Sequence, residues 1–517
     1  MLMLVDNFTY TAFGWGIVKT TALTKPIYWL LAVVAFVLHV RRTPTRISLR
    51  PAIAAALLLA SGVGLLWSFH DSGQLLEGTV VRDPGAADLP NIVMFASDGV
   101  NAKSMSAYGY ARATTPHLDP FMDQALVAEN AFTNSGWSTG SLTSMMTGKY
   151  PATTKVLYPP YTLQGTDAYE NLPRILHELG YRNLQETVRY YADGPDLNWK
   201  DSFDSANGRE VERASGSRTA LALQNPLLLG DNLYERLASR VQQLLFIKPM
   251  VDTYAEVTST DAAKVYGTSD QTRMDRVADF ITQSRQPFFI HIHLMGTHCC
   301  SFHPKERHFS ARKFDKKSEL EKAEYDDSIL ESDQYFGQLI DMLKQSNQLK
   351  NTLIIYTSDH NKGWDFRSPV PLIFLFPNGA HQGHLTRTTQ LLDVAPTVLD
   401  YLKVKIPSWM EGRSLLRDDL DHDRPVFSIF RMERSHFKTK EKDVLARVAD
   451  LGPPTYGVDL VGMVVCQRWY MMRLEDEKIT SGAVVGYQDK CPTNDLPTND
   501  QAKAMMGQYL RKRGFNF

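Results

Sequence analysis

The stretch from Asn134 to Pro151, NSGWSTGSLTSMMTGKYP, sets Ser135, Ser138, Thr139, Ser141, Thr143 and Ser144 around two glycines and closes on Thr147-Gly148-Lys149-Tyr150. This pattern predicts a tight turn that presents a hydroxyl, followed by a short helix stopped at Gly148. A hydroxyl at a helix N-terminus faces unpaired backbone N–H groups and the positive end of the helix dipole, a seat for phosphate or sulfate. A nucleophile needs that setting, because negative charge grows on the group it attacks. Taken alone, the stretch reads more readily as a Ser/Thr-rich loop with an N-cap and no chemistry. Its partners in the fold decide the matter.

Three apolar runs supply those partners. Asn91 to Ala96 (NIVMFA) reads as a buried strand running into Ser97-Asp98-Gly99, and Gln286 to Leu294 (QPFFIHIHL) as a strand ending in Met295-Gly296-Thr297-His298. Thr352 to Tyr356 (TLIIY) is a third, ending in Thr357-Ser358-Asp359-His360. Open α/β sheets bind ligands beyond the carboxyl ends of their strands. Asp98, His298, Asp359, His360 and the hydroxyl loop together offer carboxylates, imidazoles and an alkoxide. That set suits a Zn²⁺ or Mn²⁺ ion, which makes a bound oxygen reactive near neutral pH. Singly, Asp98 could cap a turn and His298 could be a structural histidine; their joint placement at strand ends points to a site.

The elements between these runs are helices. One is expected from Pro116 to Ala131, a short one from Asn171 to Gly180, and a long amphipathic one from Glu319 to Ser346, with Leu320, Ile329, Phe336, Leu339, Ile340 and Leu343 along one face. Pro371 to Phe376 is a further strand. Residues 181 to 285 are polar, with an amphipathic stretch from Leu233 to Phe246, and read as an elaboration that shapes the substrate site. Alternating strands and helices predict an α/β fold with a mostly parallel or mixed central sheet covered on both faces.

A chain of 517 residues can bury a large core, and a formal net charge of −1 gives no field for nucleic acid. Its four cysteines are no disulfide framework, although Cys466 and Cys491 could pair outside the cytoplasm. Ile27 to Val40 and Ala52 to Trp67 are apolar runs around RRTPTRISLRP, which carries four arginines and no acid. Two transmembrane helices with a cytoplasmic connector are therefore expected, and a cleaved signal peptide fits the pattern poorly. The opening MLMLVDNFTYTAFGWG reads like the middle of a membrane domain. This placement predicts a cell (inner) membrane protein whose catalytic part is periplasmic or extracellular. The expected organisation is an anchor over 1–70, a linker over 71–89, a catalytic domain over 90–416, and a C-terminal part or small subdomain over 417–517.

The chain resembles the sulfatase-like branch of the alkaline phosphatase superfamily. The motifs that carry the resemblance are NIVMFASDG with YGY and TTPHLD, STGSLTSMMTGKYP, HLMGTH, YDDSILESDQYFGQLIDMLK, TLIIYTSDH, and LLDVAPTVLDYL with GRSLL. They run in the family's order over about residues 90 to 416. The resemblance implies a three-layer α/β/α fold and a divalent metal (Zn, Mn or Ca, as one ion or two) held by Asp98, Ser138, Asp359 and His360. The family's nucleophile lies nine residues before the Thr of the T-G-x-Y-P-like end, which is Ser138 here, with Thr139 as the fallback. His298, in HLMGTH, would serve the substrate phosphate or protonate the leaving group. Thr139, Lys149 and His298 are expected against the substrate.

Departures from the family shape the expected chemistry. Gly140 and Leu142 stand where formylglycine-forming sulfatases have Pro or Ala and Arg, so an unmodified hydroxyl and a phosphoryl intermediate are expected. Gly99 replaces a second aspartate and His360 the usual Asn, both similar to membrane phosphoethanolamine transferases and lipoteichoic acid synthases. The leading expectation is therefore transfer of a phospho-group from a lipid or glycolipid donor to a glycan or lipid acceptor through covalent Ser138. The alternatives are hydrolysis of a sulfuric or phosphoric ester and, more weakly, a non-catalytic membrane scaffold.

Overall fold

Asn91–Ser97, the run NIVMFAS, is buried at every position. A strand apolar on both faces needs cover on both faces, and a parallel neighbour on each side supplies the rest of its pairing. In chain order the strands are β1 (Asn91–Ser97), β2 (Leu126–Phe132), β3 (Arg182–Glu186), β4 (Ser205–Ala206), β5 (Arg209–Glu210), β6 (Phe288–Leu294), β7 (Thr352–Thr357), β8 (Leu372–Leu375) and β9 (Gly383–Gln390). They form one sheet in the order β5-β4-β3-β6-β1-β7-β8-β2-β9. β1 pairs in parallel with β6 and β7. β8 is antiparallel to both its neighbours, β7 and β2, so β2 runs the same way as β1.

The computed structural model describes residues 89–158, 161–189, 191–211, 268–298, 302–419, 423–430, 458–488 and 496–515, with positions 30, 33, 34, 37 and 421. The elements treated below belong to one unit, residues 80–213 with 253–517. Its helices of seven or more residues are α1 (Ser138–Thr147), α2 (Leu172–Glu178), α3 (Asp270–Gln283), α4 (Lys317–Gln345), α5 (Val394–Tyr401) and α6 (Asn499–Arg511). Because side chains alternate across a strand, Ile92 and Met94 pack with Leu142, Met145, Leu176 and Val398 of α1, α2 and α5. Val93 and Phe95 face the other way, against Val277, Ile281, Phe336 and Leu343 of α3 and α4. The result is a helix–sheet–helix sandwich with the sheet's carboxyl edge left for the site.

A second sheet, β10 (Val426–Phe430), β11 (Leu460–Val465), β12 (Arg468–Arg473) and β13 (Ile479–Ala483), is antiparallel throughout. Val461, Met463 and Tyr470 pack against Met506 and Leu510 of α6. The Ile429 N–H donates to Asn134 O at 3.1 Å, tying this sheet to the loop before α1. Cys466, at the β11–β12 turn, is disulfide-bonded; Cys491, the partner considered from sequence, lies outside the described residues.

Two expectations need correction. The helix expected over 116–131 is only a 3-10 turn at Asp119–Gln124, and Leu126–Phe132 is β2. Pairing to β8 and β9 there outweighs a locally helix-compatible sequence. The inner-membrane placement is corrected, since no helix among the described residues is long and apolar enough to cross a membrane; the expected transmembrane runs, Ile27 to Val40 and Ala52 to Trp67, lie almost wholly outside the described residues. Of the two apolar runs only Leu30, Val33, Val34 and Val37 are described, helical and exposed. The amphipathic stretch 233–246 also lies outside the described residues.

Candidate active site

Strands β1, β2, β6 and β7 point the same way, and their carboxyl ends deliver one cluster. Asp98 follows β1, Asp359 follows β7, His293 is the penultimate residue of β6, and the chain leaving β2 reaches Ser138 at the start of α1. Registers Ala96↔His293 and Ala96↔Thr357 set the three central strands level with one another. The Asp98 N–H donates to Leu294 O at 2.9 Å, and Thr297 Oγ1 donates to Asp98 O at 2.6 Å, which fixes Asp98 between β1 and the turn after β6.

Ser138 is the first residue of α1, and no side chain caps this helix end. Within α1 the first N–H bonded back along the chain is that of Ser141, to Trp137 O at 3.0 Å, so those of Ser138, Thr139 and Gly140 are open to an anion. Ser138 Oγ donates to Asp98 Oδ2 at 3.2 Å and lies 3.4 Å from His360 Nε2. The helix is held in place from below, where Ser141 Oγ and Thr133 Oγ1 both donate to Asp359 O. Gly148, at φ 65°, ends it as expected.

Asp359 Oδ1 accepts from the N–H groups of Gly99 and His360, at 3.1 and 2.9 Å. Its Oδ2 is turned toward His360 Nε2 (3.3 Å) and His293 Nε2 (3.4 Å). His293 Nε2 is also 3.8 Å from Asp98 Oδ2. Burial pushes the Asp359 carboxyl up, but the neighbouring His360 and His293 outweigh it and hold it well below the usual carboxylate range. Burial likewise opposes charge on His293, while Asp359 and Asp98 reverse the balance and raise its pKa. His360 Nδ1 lies 3.0 Å from Asn361 O. A carbonyl only accepts, so Nδ1 carries a proton and Nε2 faces the cluster.

Asp98 Oδ1, Asp359 Oδ2 and both ring nitrogens of His293 are buried without hydrogen-bond partners. Orphaned buried polar atoms are costly unless something binds them. Asp98, His293 and Asp359 each present a ligand atom within 4.8 Å of the others. Two carboxylates and an imidazole fit a divalent cation.

The structure thus brings together Asp98, Ser138, Asp359 and His360, and adds His293, which the sequence reading passed over. Thr139 is buried, and its Oγ1 makes no hydrogen bond; one step along a helix turns a side chain by about 100°, away from its neighbour's direction. His298 lies outside the metal-fitting trio, with its ring centroid 6.4 Å from that of Trp364. Lys149 is not brought to the site. It follows the opposite end of α1, roughly 15 Å along the helix from Ser138. There its ammonium is buried between Asp167, at 2.5 Å, and Glu170.

The chain matches the sulfatase family over residues 90–404 and belongs to that family. An N-acetylglucosamine-6-O-sulfatase of Bacteroides thetaiotaomicron is 34% identical over 101 residues, 17% of this chain and 18% of that protein. An ulvan-active sulfatase of Formosa agariphila is 22% identical over 351 residues, 63% of this chain and 64% of that protein. The chain therefore spans less than two thirds of the length of either relative. Among solved structures, phosphonate monoester hydrolase of Agrobacterium radiobacter superposes with a TM-score of 0.53 at 16% identity, covering 82% of this chain and 97% of that one. A protein of the alkaline phosphatase superfamily from Vibrio parahaemolyticus gives 0.51 at 14% identity, covering 87% and 96%. The chain is a sulfatase-family enzyme, and its α/β fold is similar to that of the alkaline phosphatase superfamily.

Proposed function

We propose that this enzyme hydrolyses a phosphate or phosphonate ester through unmodified Ser138, with water resolving the intermediate. The observation that carries the reading is the placement of Ser138 Oγ at an uncapped helix N-terminus, 3.2 Å from Asp98 Oδ2 and 3.4 Å from His360 Nε2. The first-turn N–H groups of α1 would receive the ester's oxygens as charge develops on them. The Ser138 proton has two acceptors within reach, Asp98 Oδ2 and His360 Nε2. As the Oγ–phosphorus bond forms, the ester P–O bond breaks, and the departing alcohol oxygen takes a proton from His298. Water then cleaves the Oγ–phosphorus bond and restores Ser138. A divalent cation held by Asp98, His293 and Asp359 would offset charge on the ester oxygens and favour the ionised hydroxyl.

Phosphorus is preferred to sulfur because the local packing leaves no room for a formylglycine signal. A Cβ at Gly140 would lie 2.5 Å from Ser135 Oγ, so Ala or Pro there would have to displace Ser135, and Leu142 is wholly buried in the core where an Arg would be needed. The similarity to phosphonate monoester hydrolase, and a 32% match over 103 residues to a 2,3-bisphosphoglycerate-independent phosphoglycerate mutase of Gracilaria tenuistipitata, agree with phosphorus chemistry.

The test is to incubate the metal-loaded protein with the phosphate and sulfate monoesters of one alcohol, with and without a second alcohol as acceptor. Release of inorganic phosphate and free alcohol is expected, with the acceptor left unmodified. Sulfate release alone would overturn the choice of phosphorus, and modified acceptor as main product would restore the transferase.

A further inference from the structure

Trp364 has no part in the hydrolysis just described, yet its backbone sits at φ 60°, in the left-handed region. A bulky side chain there is an outlier that persists only where its surroundings impose it. Its indole is placed against three residues of the site. The centroid lies 5.3 Å from Trp137, 6.4 Å from His298 and 6.5 Å from His360. Trp137 in turn directly precedes Ser138 and meets Tyr158 edge-on at 5.0 Å.

Two glycines permit this approach. Gly363, at φ 71°, starts the turn that carries Trp364. At Gly136, a Cβ would fall 2.4 Å from a ring carbon of Phe430 and 3.1 Å from the Trp364 carbonyl, so only glycine lets the loop before Ser138 pass so close. Both indoles remain part-exposed, outside the four buried apolar clusters of the described residues. Their planes are splayed by 32°, which leaves an apolar surface spanning from the residue before the nucleophile to His298.

We propose that Trp364, with Trp137, is the platform on which the leaving alcohol lies and is what selects a ring-bearing leaving group over a small alkyl one. This rests on the hydrolytic reading of Ser138. An alcohol whose oxygen leaves toward His298 carries its carbon skeleton past the Trp364 face. A ring covers that face, by stacking if aromatic or through C–H contacts if a pyranose, whereas a methyl group covers little of it.

Four proteins decide the proposal: the unmodified chain, Trp364→Gly, Trp364→Phe and Ser138→Ala. Glycine adopts φ 60° freely, so Trp364→Gly removes the ring without imposing backbone strain. Each is assayed on methyl phosphate, phenyl phosphate and glucosamine 6-phosphate. In Trp364→Gly the ratio of kcat/KM for phenyl over methyl ester should fall about tenfold, chiefly through KM, and Trp364→Phe should recover most of it. A parallel fall in the glucosamine ratio assigns a sugar-accepting platform, and a fall for phenyl alone assigns an aryl one. Equal losses on all three esters, or no loss, would overturn the platform. Turnover of methyl phosphate by Ser138→Ala would instead overturn the hydrolytic reading and leave the ratios as an independent measurement.

Discussion

His293 Nε2 stands 3.4 Å from Asp359 Oδ2, with both side chains fully buried and His293 drawn toward the charged form by the carboxylates beside it. A proton on His293 and a divalent cation compete for the same space, since a ligating imidazole must be neutral. His293→Ala should therefore weaken Zn²⁺ or Mn²⁺ binding by at least about tenfold, and affinity in the unmodified protein should rise with pH. Calorimetric titration at several pH values checks both. Unchanged affinity in the variant would remove His293 from the ligand set.

Asp333, buried on α4, accepts from the N–H groups of His117 (2.7 Å) and Leu118 (3.1 Å). Burial pushes its carboxyl up to about 7 despite those bonds. The folded state then holds a proton that the unfolded state releases near pH 4, so stability should fall as pH rises from about 4 to about 7 and level off above. Asp333→Asn, neutral throughout, should flatten that segment of the profile. Denaturant titrations across the range measure it.

Lys149 joins α1 to the loop before α2 through Asp167 and Glu170, and its Nζ also lies 5.2 Å from the Trp409 ring centroid. Lys149→Met should cost about 1–3 kcal/mol, because two part-buried carboxylates lose their cation. Activity per folded molecule should persist. A thermal melt alongside a kinetic assay separates these; a rise in KM with no change in Tm would return Lys149 to the substrate.

Gly140 faces Ser135, whose Oγ accepts from the Trp137 N–H at 3.2 Å. Gly140→Ala should cost about 1–3 kcal/mol through overpacking, and disturb the turn that carries Ser138. The denaturation midpoint reads the first effect and kcat the second.

How far the sequence speaks for itself differs from residue to residue. Asp98, Asp359 and His360 could be found because each follows an unbroken apolar strand, and a strand's end in an open sheet is a fixed address. His293 was hidden inside such a strand, where FFIHIHL reads as core. The signal lay in its period: His291 and His293 share a face, and two buried imidazoles require partners. His291 has one in Gln185, at 3.1 Å, and is held neutral, its pKa driven down to about 3 by burial and by His293. His293 has no hydrogen-bond partner and faces only the carboxylates of Asp359 and Asp98, which only the folded arrangement reveals. β2 is not legible locally because its neighbours β8 and β9 come from some 250 residues away, beyond any local window. Lys149 sits in a motif that looks catalytic along its whole length, and only the position of Asp167 and Glu170 shows that its charge is already engaged.

The central claim is that Ser138, and not its neighbour Thr139, takes the phospho-group. The direct measurement is intact mass and peptide mapping of protein quenched with acid during turnover of phenyl phosphate, for the unmodified chain and for Ser138→Ala and Thr139→Ala. One added phosphoryl group is expected on Ser138 in the unmodified chain and in Thr139→Ala. In Ser138→Ala no adduct is expected, with a loss of kcat by orders of magnitude. An adduct on Thr139, or undiminished turnover by Ser138→Ala, would contradict it.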